Sequence, residues 1–228
     1  PCMTATRLPS LASNVLKLKD EVLNPKPDAN GWCLGRESVE QALEEMRNGR
    51  PVVVTDDGDR ENEGDLIFAA ETVSQQTMAF VVRHTSGVIC TAMYGEDLDR
   101  LKLGPMVSKN EDPKGTAFAV TVDLKDGVTT GISAGDRART IRALADPSSK
   151  PGHFCRPGHI FPLRARPGGV LERGGHTEAA VDMARLAGLH PAGGLCEIVR
   201  DSDGEMSRWD DLEVLAKEHD LSLIHISE

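Results

Sequence analysis

Short apolar runs and amphipathic stretches follow one another along this chain, and their spacing predicts interleaved strands and helices. Runs rich in valine, isoleucine and leucine that end at polar or glycine-containing turns are typical of buried strands. On this pattern we predict strands at residues 51–55, 66–70, 88–93, 116–122, 195–200 and 221–226. Apolar positions at helical spacing predict helices at residues 38–48, 74–84, 96–102, 136–145, 175–186 and 210–219.

Local signals predict where some of these elements begin and end. Ser38 followed by Gln41 has the spacing of a capping box at the start of the first helix, and Gly49 ends it. Residues 147–169 contain five prolines and four glycines. We therefore expect a long ordered loop there, around one short strand at residues 159–163.

The order of the elements predicts the fold class and the domain organisation. Because the strand spacing is irregular and the loops are long, we predict an α+β fold with a mixed β-sheet covered by helices in layers. A regular, parallel, doubly wound sheet is the alternative. Residues 37–228 are expected to form this single domain. Residues 1–36 contain four prolines and little periodicity, so we expect a partly flexible N-terminal arm.

Composition excludes several classes of protein. The chain has 228 residues, of which 39% are hydrophobic and 27% charged, as in ordinary globular proteins. No apolar run approaches the roughly 20 residues needed to span a bilayer, and no basic segment followed by an apolar stretch opens the chain. We therefore expect no membrane partner and no secretory signal. A sequence pI of about 5.2 disfavours nucleic-acid binding. Five scattered cysteines, never in a Cys-x-x-Cys pair, favour free thiols in the cytoplasm.

An acidic stretch at residues 56–65 carries the strongest chemical signal. Its six carboxylates and one arginine give a charge of −5, half of the net charge of −10. It lies between two apolar runs, so it is predicted to be a tight loop between buried strands. Carboxylates held close together repel unless a cation or a basic group neutralises them. Hard oxygen ligands in this number suit Mg²⁺ or Mn²⁺. An acidic turn that only keeps the protein soluble remains the alternative.

A second constellation is Arg173-Gly174-Gly175-His176-Thr177-Glu178 at the predicted start of a helix. Glycines allow a ligand to approach the backbone, and the exposed amides and dipole of a helix start favour an anion. Arg173 adds a charge-assisted contact and Thr177 a hydroxyl. The pattern suits a phosphate ester, although a plain turn followed by a helix cap remains open.

Two further residues are candidates for proton transfer. His159 lies between two prolines and is flanked by arginines. Its conformational freedom is therefore small, which suits a proton-transfer role. Glu197 lies within an apolar strand, where a carboxylate needs either a partner or a raised pKa. Both have a structural alternative: a plain surface histidine, and a carboxylate that binds a buried arginine.

Six stretches match, in order, motifs of a known family. They are DDGDRENEGD at 56–65, RHTSGVIC at 83–90, GVTTGISA at 127–134, RPGHIFPLR at 156–164, RGGHTE at 173–178 and PAGGLCE at 191–197. From about residue 37 to its end the chain therefore resembles the 3,4-dihydroxy-2-butanone 4-phosphate synthase family of riboflavin biosynthesis. Since no second enzymatic domain follows the last motif, we expect a monofunctional form.

The resemblance implies a reaction. D-ribulose 5-phosphate is converted to L-3,4-dihydroxy-2-butanone 4-phosphate and formate with Mg²⁺, or Mn²⁺ as a substitute. The C3 proton is removed to give an enediol, the C1 hydroxyl is lost, the carbon skeleton rearranges, and C4 leaves as formate. The family is homodimeric with active sites at the subunit interface.

The resemblance also implies roles for individual residues. Glu61 and His176 would bind the metal, and His159 and Glu197 would move protons. The substrate-binding residues would be Arg60, Glu61, Asp65, Arg173, Gly174, Gly175, His176, Thr177 and Glu197. Glu63 and the Thr129-Thr130 loop would line the site. For Cys90, which lies in a matching motif, a buried small thiol is an equally good explanation.

Two other functional classes fit less of the sequence. A non-catalytic cation-binding module would use only the acidic loop, and Asn62 stands where a calcium hand needs its glycine. A nucleotide- or RNA-binding domain would need a basic groove, which a chain of net charge −10 disfavours.

Overall fold

The computed structural model describes residues 35–228, and a seven-stranded sheet runs through this part of the chain. The strands are β1 Val52–Thr55, β2 Gly64–Ala69, β3 Cys90–Met93, β4 Val122–Leu124, β5 Phe154–Arg164, β6 Ala192–Glu197 and β7 Leu223–His225. Their order across the sheet is β4-β5-β3-β6-β2-β1-β7. The pairs β1/β7 and β3/β5 are parallel and the other pairs are antiparallel. The predicted mixed sheet is confirmed, and the parallel doubly wound alternative is wrong.

Helices cover both faces of this sheet. Within residues 35–228 the α-helices are α1 Arg36–Arg47, α2 Gln75–His84, α3 Gly95–Arg100, α4 Ala134–Ala145, α5 His176–Leu186 and α6 Trp209–His219. Apolar side chains of α1 and α5 pack on one face, and those of α2, α3, α4 and α6 pack on the other. The predicted layered α+β arrangement is confirmed.

Strand β1 shows why both faces of the sheet are covered. Val52 and Val54 belong to the core beneath α1 and α5, whereas Val53 belongs to the opposite core. Successive side chains of a strand point to opposite faces, so an unbroken valine run makes both faces apolar. Every residue of β1 and β2 is buried. The acidic loop joins these two buried strands and is anchored at both ends.

Helix starts agree with the sequence only in part. Ser74 is the N-cap of α2 and its Oγ accepts a hydrogen bond from the Thr77 amide, as expected for a helix that begins there. The predicted capping box at Ser38 is wrong, because α1 begins two residues earlier. Ser38 is the third residue of the helix, and its Oγ accepts a hydrogen bond from the amide of the true N-cap, Gly35.

The predicted strand at residues 116–122 is wrong. Only Val122–Leu124 forms a strand, and the residues before it alternate between two partners. The Ala119 amide donates to the Pro162 carbonyl, whereas the Val120 amide donates to the Gly104 carbonyl. A segment whose successive residues bind different partners cannot build a continuous ladder.

The predicted loop around a short strand at residues 159–163 is also wrong, because β5 has 11 residues. Proline is tolerated where its missing amide would face away from the ladder. The Pro162 carbonyl accepts the Ala119 amide, so its amide side faces away from β3, and no hydrogen bond to β3 is lost.

Strand β6 begins three residues earlier than predicted, because Gly193 and Gly194 pair with Ala69 and Phe68 of β2.

Residues 1–34 of the predicted N-terminal arm lie outside the described residues. No helix in the described part combines the length and apolar character needed to cross a membrane.

Candidate active site

One cavity on the α1/α5 side of the sheet gathers most of the predicted site residues. The acidic loop, β2, β3, the start of α5 and the end of β6 all contribute to its wall. The predicted residues that line it are Arg60, Glu61, Glu63, Asp65, Cys90, Arg173, His176, Thr177 and Glu197. The sequence therefore predicted most of the chemical groups of this cavity.

Asp56 organises the acidic loop from within. Its two carboxylate oxygens accept the amides of Glu63 at 2.9 Å and Glu61 at 3.1 Å, and Arg60 Nη1 donates at 2.7 Å. Burial acts to raise the pKa of Asp56, but these hydrogen bonds outweigh it and lower the pKa below its ordinary value. Sequence reasoning included Asp56 in the loop but gave it no role. It holds the loop closed, so that Glu61 and Glu63 face the cavity.

Asp65 and Glu197 are directly opposite each other on the antiparallel strands β2 and β6. Side chains of such a pair lie on the same face and close together, and like charges at these positions are destabilising. Asp65 is 3% exposed, and its Oδ1 has no hydrogen-bond partner among the described residues. Burial first, and then the carboxylates of Glu197 and Glu63, raise the pKa of Asp65 well above its ordinary value. An added proton or a nearby cation would reduce the repulsion between these carboxylates.

His176 has the orientation of a metal ligand. Its ring is buried, and Nε2 lies 3.1 Å from the Val54 carbonyl oxygen, which only accepts hydrogen bonds. Nε2 must therefore donate, which leaves the lone pair of Nδ1 facing Glu61 Oε2 at 3.9 Å and Asp65 Oδ1 at 3.8 Å. Burial lowers the pKa of His176, so the ring is neutral, as a ligand must be. A carbonyl that binds the other ring nitrogen and fixes the tautomer is usual for metal-binding histidines.

These groups fit a divalent cation. Ligand atoms of Asp56, Glu61 and His176 all lie within 4.8 Å of one another. Both Asp56 oxygens are bound, by loop amides and by Arg60, whereas Arg60 Nη1 binds only Oε2 of Glu61, at 2.6 Å. Glu61 and His176 are therefore the side chains best placed to bind a metal. The unpartnered oxygen of Asp65 adds negative charge beside them. Two protein ligands leave positions for water and substrate oxygens, which suits Mg²⁺.

The start of α5 forms an anion-binding corner beside the carboxylates. Gly175 is the N-cap of α5, and Thr177 lies in the first turn. The guanidinium groups of Arg173 and Arg60 converge on Gly175, where an added Cβ would collide with Arg173 Nη1 and lie 2.8 Å from Arg60 Nη2. Backbone amides, a helix dipole and two arginines together favour a phosphate group. A Cβ added at Gly174 would only reach Ile226 Cγ2 at 4.0 Å, and Gly174 does not line the cavity.

Arg173 is held in place by residues that the sequence analysis did not single out. Its Nη1 donates to Glu178 Oε2 at 2.6 Å, its Nη2 to Thr116 Oγ1 at 3.2 Å and its Nε to the Lys114 carbonyl at 3.4 Å. The Glu178 side chain is 1% exposed. The sequence offered a clue to Glu178, because it is the last residue of the motif that begins at Arg173. Thr116 and Lys114 had none, because they lie far away in the sequence.

Glu197 faces the cavity from the last position of β6. Its Oε2 accepts the Ser86 hydroxyl at 2.7 Å, which leaves Oε1 available for a ligand. Beside it, Cys90 lines the cavity and burial raises the pKa of its thiol well above the ordinary value. Cys90 is therefore a neutral wall residue at physiological pH.

His159 and the Thr129-Thr130 loop do not line this cavity. His159 lies on β5, separated from Glu197 by the intervening strand β3. Two strand spacings amount to about 10 Å. The His159 ring binds Asp123 instead, with 2.6 Å between Nδ1 and Oδ2, and the Thr129 hydroxyl binds Asp136 at 2.7 Å. Within one chain these predicted residues form a separate group.

Comparisons with known proteins point to one family. The family model for 3,4-dihydroxy-2-butanone 4-phosphate synthase matches residues 40–228. The riboflavin biosynthesis protein RibBA of Salinispora tropica is 60% identical over 191 residues, and that of Nocardia farcinica is 56% identical over 193 residues. Each alignment covers 84% of this chain, but only 48% and 47% of the respective relative. The chain thus spans about half the length of these curated relatives.

Solved structures of similar proteins share the fold. The 3,4-dihydroxy-2-butanone 4-phosphate synthase of Candida albicans has a TM-score of 0.78 and 52% identity, covering 83% of this chain and 93% of that one. A 3,4-dihydroxy-2-butanone 4-phosphate synthase in complex with two magnesium ions has a TM-score of 0.79 and 46% identity, with the same coverage. The chain belongs to the 3,4-dihydroxy-2-butanone 4-phosphate synthase family.

Proposed function

We propose that this chain converts D-ribulose 5-phosphate to L-3,4-dihydroxy-2-butanone 4-phosphate and formate in riboflavin biosynthesis, with Mg²⁺ as its cofactor. Family membership supports the reaction, and the magnesium complex of a similar synthase supports the metal. One observation carries the proposal: a single cavity holds both a carboxylate–imidazole cluster that fits a divalent cation and an anion-binding helix start. A sugar phosphate needs both, one for its reacting oxygens and one for its phosphate.

The phosphate end of the substrate binds at the start of α5. The amides of this first turn, the Thr177 hydroxyl and the guanidinium groups of Arg173 and Arg60 surround the corner at Gly175. The carbonyl and hydroxyl oxygens then extend towards Glu61, Asp65 and His176. A bound divalent cation supplies charge stabilisation for oxyanions that develop on the substrate. The cavity thus orients the carbon chain between its two ends.

Proton transfer is assigned to Glu197 and His159. The Ser86 hydroxyl holds one oxygen of Glu197 and leaves the other free to accept a proton from a substrate carbon. The carboxylates of buried Asp65 and partly exposed Glu63 stand beside it, and each has a raised pKa, mainly because of desolvation. Both can therefore hold a proton that Glu197 passes on.

The proposal includes a homodimer in which His159 completes the partner's cavity. Within one chain His159 is outside the cavity, and its side chain is 43% exposed. Apolar side chains near it are exposed as well, Val88 by 43% and Ile132 by 49%. A second copy packed on this patch would bury them and bring His159 towards substrate.

Mn²⁺ as a substitute metal and a cytoplasmic location are parts of the same proposal, supported by the hard ligands and the free thiols.

Formate release is the direct test. The protein is incubated with ribulose 5-phosphate and Mg²⁺, and formate is measured with a coupled dehydrogenase. We expect activity that is lost in Glu61→Gln and kept in Asp59→Asn, a matched control exposed in the same loop. An inactive wild-type protein that is folded and loaded with Mg²⁺ would refute the reaction.

Mixing two inactive variants tests the shared site. Glu197→Gln and His159→Gln are unfolded together and refolded as a mixture. If each site takes His159 from one chain and Glu197 from the other, heterodimers regain one intact site, and about a quarter of the wild-type activity returns. No recovery in verified heterodimers would place both residues in a site within one chain.

A further inference from the structure

The backbone of the acidic loop is bound by two different sets of partners. The amides of residues 60–63 are all bound within the loop, by the Asp56 carboxylate or the Asp57 carbonyl. The carbonyls of residues 60–62 are bound from outside the loop, by the side chains of Lys114 and Arg208. Both of these residues lie far from the loop in the sequence. The loop conformation therefore depends on two distant cations as well as on Asp56.

Arg208 binds two successive carbonyls of the loop. Its Nη1 donates to the Glu61 carbonyl at 3.0 Å and also to the Asn62 carbonyl. Asn62 has a φ of +55°, a left-handed conformation that asparagine tolerates better than most residues. Arg208 is itself fixed at the start of α6, where its amide donates to Asp211 Oδ2 at 3.0 Å. A helix start thus holds the backbone of the metal-ligand candidate Glu61.

Lys114 binds the preceding carbonyl. Its Nζ donates to the Arg60 carbonyl at 2.6 Å. The segment around it is ordered by Asp112, whose Oδ2 accepts the Thr116 amide at 2.7 Å, and the Lys114 carbonyl accepts Arg173 Nε at 3.4 Å. Lys114 therefore connects the acidic loop to the anion-binding corner.

The charge and the hydrogen bonds of these two residues have opposite consequences for a metal site. A positive charge near the site repels a second cation, so charge alone makes metal binding weaker. Hydrogen bonds that fix the loop make metal binding stronger if they hold Glu61 where it faces the lone pair of His176. The sign of the effect therefore shows which of the two dominates.

We propose that Arg208 and Lys114 are positioning residues of Glu61, and that they form a carbonyl clamp on the acidic loop. The clamp orders the loop before the metal binds, so that binding does not have to supply the free energy of ordering it. Neither residue lines the cavity, so neither is placed to bind the cation directly. This inference rests on the proposed function, because it assumes that Glu61 binds a divalent cation.

Mn²⁺ binding to the metal-free protein tests the clamp without any turnover. Free Mn²⁺ is measured by electron paramagnetic resonance in a titration without substrate. We expect Arg208→Gln and Lys114→Met each to raise the Kd for Mn²⁺ roughly tenfold, because removing a group that orients a metal ligand typically costs 10–100-fold in affinity. Loss of a positive charge alone would lower the Kd.

Two matched controls remove a nearby charge and leave the clamp intact. Arg200 lies at the same end of α6 and binds Asp203 at 2.8 Å. Lys109 lies five residues before Lys114 and binds Glu111 at 2.7 Å. Arg200→Gln and Lys109→Met should leave the Kd for Mn²⁺ unchanged or slightly lower.

Hydrogen exchange tests the clamp directly on the loop. Peptides that contain residues 56–65 should exchange faster in metal-free Arg208→Gln and Lys114→Met than in the wild-type protein. Exchange in the rest of the chain and the unfolding temperature should stay close to wild type, which separates loosening of the loop from general destabilisation.

A double variant tests whether Arg208 acts through Glu61. In the Glu61→Gln background, Arg208→Gln should weaken Mn²⁺ binding no further, because residues that act together are not additive. If a folded Arg208→Gln or Lys114→Met protein binds Mn²⁺ as tightly as wild type or more tightly, the positioning role of that residue is overturned. If Glu61→Gln binds Mn²⁺ as well as wild type, the proposed metal site fails and the inference fails with it. Failure of the clamp alone would leave the effect of Glu61→Gln intact.

Discussion

Replacing Arg173 by alanine should produce two effects that can be measured separately, weaker substrate binding and a less stable fold. The guanidinium has five N–H donors. Three of them bind Glu178, Thr116 and the Lys114 carbonyl, which leaves two for the substrate phosphate. Hydrogen bonds to charged groups contribute about 1.5–3 kcal/mol each. Since about 1.4 kcal/mol corresponds to a factor of ten, losing this contact should raise KM roughly 10- to 100-fold.

The effect on kcat should be small. The phosphate is remote from the reacting carbons and keeps its contact from the ground state to the transition state. An interaction of equal strength in both states changes KM and leaves kcat nearly constant. Initial rates of formate release over a range of ribulose 5-phosphate concentrations separate the two constants. A collapse of kcat at unchanged KM would show that Arg173 acts on the reacting atoms and not on the phosphate.

The effect on stability comes from the partner left behind. Glu178 is 1% exposed, and without Arg173 only the Arg166 amide still binds it among residues 35–228. Removing one partner of a buried pair costs about 3–5 kcal/mol, and we take about 3 because the cavity admits water. At about 2–4 °C per kcal/mol for a chain of this size, the midpoint of thermal unfolding should fall by roughly 6–12 °C.

A double variant is the matched control. Glutamine at position 178 still accepts the Arg166 amide and carries no charge. Arg173→Ala/Glu178→Gln should therefore regain most of the lost unfolding temperature, measured by calorimetry without substrate, while KM stays raised. If Arg173→Ala unfolds at the wild-type temperature, the buried pair contributes nothing, and the reasoning about Glu178 is refuted.

Three further predictions concern the metal, the base and the thiols. Excess EDTA should abolish formate release, and added Mg²⁺ should restore it, because Glu61 and His176 alone bind the ion weakly. Full turnover in excess EDTA would contradict a metal site with these two protein ligands. Glu197→Gln should unfold within a few degrees of the wild-type unfolding temperature, because the amide keeps the hydrogen bond to Ser86. The rate of formate release should fall roughly 10²–10⁴-fold, because the amide accepts no proton. Near-normal formate release would show that Glu197 has only a structural role. Burial raises the pKa of Cys196 to about 12. Its thiol therefore stays protonated as the pH rises from 7 to 9. Iodoacetamide labelling, mapped by mass spectrometry, should modify the exposed Cys155 and spare Cys196. Labelling of Cys196 that increases over this pH range would contradict its burial.

Local signals in the sequence were sufficient for the layers of the fold. The irregular interleaving of strands and helices indicated a mixed sheet covered by helices, and the Arg173 motif indicated an anion site at a helix start. Prediction failed where long-range contacts decide the structure. Pro162 is accommodated in β5 because its missing amide faces away from β3, and residues 116–121 form no strand because they bind alternating partners. Neither fact is visible from the residues themselves.

The sequence by itself determined which chemical groups this protein carries, because carboxylates, imidazole and a glycine-rich helix start are properties of adjacent residues. It did not determine which of them meet. Asp65 lies opposite Glu197 only because β2 and β6 pair in one particular register, and the Nδ1 lone pair of His176 faces Glu61 only because the Val54 carbonyl binds the other nitrogen. His159 was expected beside Glu197 but lies across β3, bound to Asp123. Strand register and side-chain partners depend on residues far apart in the chain, so only the tertiary structure decided them.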